Sequence, residues 1–231
     1  MSSLADGEQL RQISLFANLE SSLLTQLAAH SALKHYATDE VVFHEADELP
    51  ACLHVLVSGR LRIARVSESG KETILRILLA GEVFAAPALL GNGKAPATAT
   101  AIEPAVVLML EKNALVEGFS QNPELALQLF VALNQRLQQL HNRVHSLVSE
   151  RAMVRVIHYL EQVAVDYGTE LVTDGERLRS QLTHYQIARS IGITYEECVR
   201  LFKQLQPAVR YQRGGTITIR DRQKLVAMVL K

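Results

Sequence analysis

The sequence predicts an α+β protein in three parts: an antiparallel β domain, a long helix, and a compact helical domain closed by a β-hairpin. Three observations predict it. Glycine turn signals at Gly59, Gly70 and Gly81 come eleven residues apart, the interval of short antiparallel strands in a sandwich or barrel. The spacing of apolar residues then changes from two to three and four near residue 120, as strand gives way to helix. Finally, residues 1–150 hold 11 Lys+Arg against 16 Asp+Glu while residues 151–231 hold 13 against 8, so a net charge of zero conceals an acidic part joined to a basic one.

The first part, residues 1–118, begins with a short helix over "SSLLTQLAAH" and continues as strands to about Glu117. Leu53, Val55 and Val57 alternate, as do Leu61 and Ile63, and then Thr73, Leu75, Ile77 and Leu79. This predicts one buried face per strand. The second part, residues 119–150, is a helix. Phe130, Leu133, Leu137, Leu140, Val144 and Leu147 follow one another at intervals of 3, 4, 3, 4 and 3. A helix cannot leave such a seam bare, so it pairs with its own copy in a parallel dimer or lies on its own β domain.

The third part, residues 151–231, opens with the amphipathic helix "RAMVRVIHYLEQVAVDYG", ended by Gly168. A few strand-like residues (170–172) and the turn Thr173-Asp174-Gly175 follow. Two short helices then flank Gly192, the first capped by Thr183 and the second by Thr194. Helix, glycine turn and second helix at this spacing are the helix-turn-helix signature. "VRYQRGGTITIRD" alternates about Gly214-Gly215 as a hairpin, which completes a winged helix. Between Arg177 and Lys224 ten basic residues face three acidic ones, a surplus suited to a polyanion.

Composition excludes several classes. The 48% hydrophobic content suffices for packed cores, yet no run of eighteen apolar residues suggests a membrane span, and the N-terminus has no signal-peptide pattern. Two cysteines, Cys52 and Cys198, are too few for a disulfide framework or an all-cysteine metal site, and a cytoplasmic protein fits. "GNGK" at Gly91–Lys94 fails as a phosphate loop: Ala88 stands where the first glycine belongs, and Ala95 follows the lysine. No nucleophile motif accompanies the histidines, so an enzyme is not expected.

The order of parts resembles the CRP/FNR family of bacterial transcription regulators. "LVSGRLRIARVSESGKETILRILLAGEVF" is similar to the family's β-roll run, and "LTHYQIARSIGITYEECVRLFKQL" to its helix-turn-helix. The resemblance extends from about Phe16 to Ile219. It implies an N-terminal double-stranded β-roll of the cyclic-nucleotide-binding jelly-roll type, a long dimerisation helix and a C-terminal winged helix-turn-helix. It also implies a homodimer that reads a pseudo-palindromic operator in double-stranded DNA, and leaves RNA polymerase open as a further partner.

In the family a Glu followed four residues later by Arg reads base edges in the major groove. Here these are Glu196 and Arg200. A carboxylate accepts from cytosine N4, and a guanidinium donates in a fork to guanine O6 and N7. At this spacing Glu196 would also orient Arg200. Cyclic-AMP-type members have an arginine just before the Glu; Tyr195 replaces it and would meet a thymine methyl or a phosphate. Glu197 stands where a small or neutral residue is common. Thr183, His184 and Tyr185 at the start of the first helix, with Lys203 and Arg213 at the rim, are the expected phosphate contacts, although His184 reads equally well as an ordinary exposed residue.

The family's nucleotide pocket has a glutamate for the ribose and an Arg-Ser pair for the phosphate. The aligned positions here are Ala86 and Pro96-Ala97. A cyclic phosphodiester would lack a compensating cation or hydroxyl, so neither cyclic AMP nor cyclic GMP is expected. Phe84, Ala86, Leu89, Leu90 and Leu140, with His141 beside it, leave two alternatives: a pocket for another small molecule, or a site filled by side chains. No cofactor is expected from motifs, while haem on His44, His54 or His141 stays open because one histidine can ligate iron. A metal clamp at His141 and His145 is a weaker option. The competing function is a small-molecule sensor that signals through protein–protein contact.

Overall fold

Residues 2–229 other than 69, 71 and 150 are described by the computed structural model, with backbone alone for 2 and 146–149. Contacts divide the chain into Met1–Gln139 and Leu140–Lys231, and the boundary falls inside the long helix.

In the first unit β1 (Ser2–Leu4), α1 (Gly7–Arg11) and α2 (Ser21–Ala29) precede the strands β2 (Ser31–Tyr36), β3 (Val41–Phe43), β4 (Cys52–Ser58), β5 (Leu61–Val66), β6 (Glu72–Leu78) and β7 (Val83–Phe84). Then come α3 (Ala86–Leu90), β8 (Thr98–Ala101), β9 (Ala105–Glu111), α4 (Lys112–Gln121) and the start of α5 (Pro123–Ser149). The strands form two antiparallel sheets ordered β1-β2-β9-β4-β7 and β3-β8-β5-β6. Phe43, Leu56, Leu61, Leu78, Phe84 and Val107 pack between them. This is the N-terminal β-roll.

Three expectations need correction. First, β4 and β9 bury both faces. Leu56 and Val107 look into the roll, while Leu53, Val55, Leu108 and Leu110 pack beneath Leu10, Phe16, Leu24, Leu27 and Leu115. The N-terminal helices and α4 roof the sheet, so a single-faced pattern does not hold. Second, β6 buries Ile74 and Leu78, not Thr73, Leu75, Ile77 and Leu79, which are only half-buried. "TILRILL" carries apolar residues at both parities, and the pairing of β6 with β5 shifts register between Ile63↔Arg76 and Ala64↔Ile74, which breaks the simple alternation. Arg76, between the two buried positions, keeps its guanidinium paired: it donates to Glu82 Oε1 (3.0 Å) and to the Val83 carbonyl (3.2 Å). Third, the stretch before Glu117 ends as helix α4, not strand.

The long helix divides its apolar residues between two tasks. Leu125 and Leu129 are buried in the core beneath the N-terminal helices and α4, and Leu133 packs against it. Phe130, Leu137, Leu140 and Val144 remain 41–63% exposed along α5. Of the predicted seam, the Leu147 side chain lies outside the described residues. Packing on the β domain therefore accounts for the start of the helix and leaves the rest of the stripe uncovered.

The second unit continues with α6 (Ala152–Tyr167), β10 (Thr169–Val172), β11 (Gly175–Leu178), α7 (His184–Ile191), α8 (Tyr195–Leu205), β12 (Val209–Gln212), β13 (Thr216–Ile219) and α9 (Arg222–Ala227). Its sheet is ordered β10-β11-β13-β12. The predicted hairpin is β12–β13. Strand β11 was not foreseen; it pairs with β10 on one side and β13 on the other, so that the wing belongs to a four-stranded sheet. Val156, Leu160, Ile187, Leu201, Phe202, Leu205 and Ile217 form one core. The fold class is thus α+β: β-roll, long helix, winged helix-turn-helix.

Candidate nucleic-acid interface

The geometry of α7 and α8 follows from their ends. Thr183 caps α7 in a reciprocal box: its hydroxyl accepts from the Gln186 N–H (3.2 Å), and Gln186 Oε1 accepts from the Thr183 N–H (2.9 Å). Gly192 closes the helix in the left-handed region (φ 74°), where L side chains are strained, and the Ile193 N–H turns back to the Ala188 carbonyl at 3.1 Å. Thr194 then caps α8 by accepting from the Glu197 N–H at 3.1 Å. A second glycine fixes the wing. At Gly215 (φ 87°) a Cβ would lie 2.8 Å from the backbone of Leu182, whose N–H donates to the Gly215 carbonyl at 2.8 Å.

Helix α8 is held by one face. Cys198, Leu201, Phe202 and Leu205 are buried, each worth roughly 1–3 kcal/mol of transfer free energy at most. Burial, reinforced by the charge of Glu197, pushes the Cys198 thiol up to about 12, so this cysteine is a packing residue. The opposite face presents Tyr195, Glu196, Arg200 and Lys203 to solvent. Arg200 has 69% of its side chain exposed, and its Nη2 sits 3.7 Å from Glu197 Oε1. The expected orientation of Arg200 by Glu196 is corrected accordingly: the i,i+3 neighbour takes the guanidinium, and Glu196 has no ion-pair partner among the described residues.

The remaining expected contacts are placed as follows. Tyr185 is exposed beside Thr183, with the Arg189 guanidinium 5.1 Å above its ring. Arg213 is exposed at the tip of the β12–β13 turn. His184 is not a free rim residue. Its ring stacks on Tyr211 at 3.7 Å, meets Phe202 edge-on at 4.7 Å, and lies 6.3 Å from Tyr195. The sequence places Phe202 on the apolar face of the second helix and Tyr211 in the hairpin, but not their contact with His184, because no local spacing brings β12 onto the start of α7.

Charge is distributed differently from the count. Four of the ten cations between Arg177 and Lys224 are taken by acids from outside that stretch. Arg177 pairs with Glu170 directly across the strand (2.6 Å), Arg210 and Arg220 share Asp174 (2.6 and 3.0 Å), and Arg222 bridges Glu161 and Glu176 (2.7 and 3.1 Å). The hydrogen bonds from Arg220 and Arg210 hold the Asp174 carboxyl below its usual range. Arg189, Arg200, Lys203 and Arg213 are left on or beside the two helices and the wing.

In the first unit the segment aligned with a nucleotide pocket splits. Phe84 and Leu89 are buried in separate cores, Ala97 is buried, Ala86 is half-buried, and Leu90 and Pro96 are exposed. Leu140, His141 and His145 are exposed on α5. His54 is buried between Phe43 (6.4 Å) and Phe84 (5.6 Å), with its Nδ1 3.1 Å from the Cys52 carbonyl oxygen. Burial lowers its pKa to about 4, so the imidazole is neutral. Among the described residues no three His, Cys, Asp or Glu side chains gather as a metal site, and no helix is long and apolar enough to cross a membrane.

A β-roll, a long helix with a bare apolar stripe, and a winged helix-turn-helix with a polar reading face define a DNA-binding regulator. Comparison with known proteins agrees. Residues 33–122 match the cyclic nucleotide-binding domain model, and residues 154–228 match the Crp-like helix-turn-helix domain model. The chain is 26% identical over 191 residues to the CRP-like cAMP-activated global transcriptional regulator of Mycobacterium tuberculosis, covering 82% of this chain and 84% of that protein. It is 26% identical over 156 residues to the global nitrogen regulator of a Nostoc species, covering 67% and 70%. Among solved structures, a mutant of CooA from Carboxydothermus hydrogenoformans superposes with a TM-score of 0.74 at 21% identity, covering 92% of this chain and 91% of that one. The c-di-GMP responsive global regulator CLP of Xanthomonas campestris gives 0.74 at 20% identity, covering 87% and 99%. The chain belongs to the CRP/FNR family of transcription regulators, and its C-terminal domain is a DNA-binding helix-turn-helix.

Proposed function

We propose that the chain is a homodimeric, sequence-specific transcription regulator without enzymatic activity, working in the cytoplasm on a pseudo-palindromic operator. The observation that carries this is the solvent-facing set Tyr195, Glu196 and Arg200 on a helix whose other face is buried. Arg200 donates to guanine O6 and N7, Glu196 accepts from cytosine N4, and Glu197 steadies Arg200 while repelling phosphate. Tyr185, Lys203 and Arg213 meet the backbone. Thr183 contributes mainly by capping α7, since its hydroxyl and N–H are both engaged by Gln186. The exposed stripe of Phe130, Leu137, Leu140 and Val144 pairs with its copy, which sets half-sites about one DNA turn, ~34 Å, apart. At a promoter RNA polymerase is the further partner.

We infer that the effector, if the dimer uses one, is neither cyclic AMP nor cyclic GMP. Ala86, Pro96 and Ala97 supply no group for ribose or phosphate, and Phe84, Leu89 and Ala97 are core residues. Selection of bound sequences from random duplex DNA by the purified protein tests the main reading. It is expected to return an inverted repeat, with binding that falls steeply with salt. Enrichment of no motif, or a salt-insensitive association with a protein partner, would favour the sensor alternative. Native mass spectrometry of the same sample reports any retained small molecule.

A further inference from the structure

The aromatic cluster at the start of α7 is not explained by phosphate contact. His184 is the first residue of α7, yet its Nε2 is buried and has no hydrogen-bond partner among the described residues. Its ring lies flat on Tyr211 of β12 (3.7 Å, 21° between planes) and against the Phe202 edge of α8 (4.7 Å, 71°). Phe202 and Tyr211 are themselves 5.5 Å apart. Burial lowers the imidazole's pKa, and a helix N-terminus also disfavours a cation. A neutral ring with its outer nitrogen covered is poorly equipped to hold a phosphate. It is well placed to wedge three elements together: the first helix, the reading helix and the wing strand.

The fourth ring gives the wedge a function. Tyr195 opens α8 one residue before Glu196, is half exposed, and leans edge-on toward His184 at 6.3 Å and 77°. We propose that His184 is a positioning residue for DNA recognition, an aromatic wedge between Tyr211 and Phe202 that sets where Tyr195 stands in the groove. The inference rests on the DNA-binding reading above. It assigns base preference at the Tyr195 position to a residue that touches no DNA. Because Nε2 has no hydrogen-bond partner among the described residues, a phenyl ring can take over the wedge, whereas an alanine cannot.

The test uses the full-length protein and the operator obtained by selection. Affinity, salt slope and base preference at the outer position are measured for the wild type, His184→Phe, His184→Ala, Tyr195→Ala and the double His184→Ala/Tyr195→Ala. His184→Phe is expected to stay within about threefold of wild type with an unchanged salt slope, and His184→Ala to lose about tenfold. His184→Ala should flatten the same base position as Tyr195→Ala, and the double variant should flatten it no further. Loss in His184→Phe equal to that in His184→Ala, with a salt slope shallower by about 2 per dimer, would overturn the proposal in favour of phosphate contact. Should His184→Ala fail to fold, the phenylalanine variant decides alone: retention supports the wedge, loss refutes it. A wild-type protein that binds no duplex overturns the DNA-binding reading itself, and the wedge with it.

Discussion

Acid should destabilise the β-roll through His54, and the size of the effect follows from where the ring sits. The imidazole is 2% exposed between Phe43 and Phe84, and its pKa is lowered from 6.5 to about 4, chiefly by burial. The unfolded chain therefore binds a proton that the folded chain refuses, and does so between those two values. The neutral ring's contribution is complete above pH 6.5, shrinks as pH falls toward 4, and changes no further below it. At about 1.4 kcal/mol per pH unit the whole window is worth about 3 kcal/mol, of which about 2 kcal/mol is gone at pH 5. For a unit of this size that is a fall in melting temperature of roughly 5–10 °C. The assay is urea or thermal unfolding of the wild type and His54→Leu at pH 7.5 and pH 5. Leucine removes the titrating group while filling the apolar slot, so its loss on acidification should be smaller than the wild type's by about 2 kcal/mol. Equal losses in the two proteins would refute the reasoning, since they would mean that the buried ring accepts its proton as readily as an exposed one.

Other outcomes follow from single residues. Leu137→Glu places a carboxylate in the bare stripe of α5, where Leu137 is 48% exposed, and is expected to convert dimer to monomer in sedimentation velocity; an unchanged dimer would place the seam elsewhere. Cys198, with its thiol pushed up to about 12, should resist iodoacetamide at pH 8 until the domain unfolds, as read by peptide mapping. Arg143 donates to the Ser190 carbonyl at 2.5 Å, near the carboxyl end of α7 where the helix dipole favours a cation, so Arg143→Ala should lower the stability of the C-terminal unit by about 1 kcal/mol in thermal unfolding.

Much of this architecture could be read from local chemistry. The caps Thr183 and Thr194, the turn at Gly192 and the hairpin at Gly214-Gly215 each depend on residues within four positions, and each was legible. Legibility failed where the decisive partner lies far along the chain. Strand β11 is stabilised by β13, some forty residues later, and its apolar content alone is too slight to announce it. In β6 both parities are apolar, and the register shift in its pairing with β5 breaks the alternation in a way that spacing alone does not announce. The basic surplus behaved likewise. Cross-strand register for Arg177, and tertiary packing for Arg210, Arg220 and Arg222, give these cations to acids that a linear count leaves outside the window. The stacking of His184 on Tyr211 was not legible either, since β12 reaches the start of α7 only through the fold of the wing.

The central claim is that Arg200 forks onto a guanine in the major groove while Glu197 steadies it. The most direct measurement replaces guanines of the selected operator one at a time with 7-deazaguanine, which lacks the N7 acceptor, and compares the wild type with Arg200→Ala. One symmetric pair of substitutions should cost the wild type about 1–3 kcal/mol per half-site and cost Arg200→Ala nothing. If no guanine shows a penalty, or if both proteins lose equally at the same one, Arg200 does not read that base and the account fails.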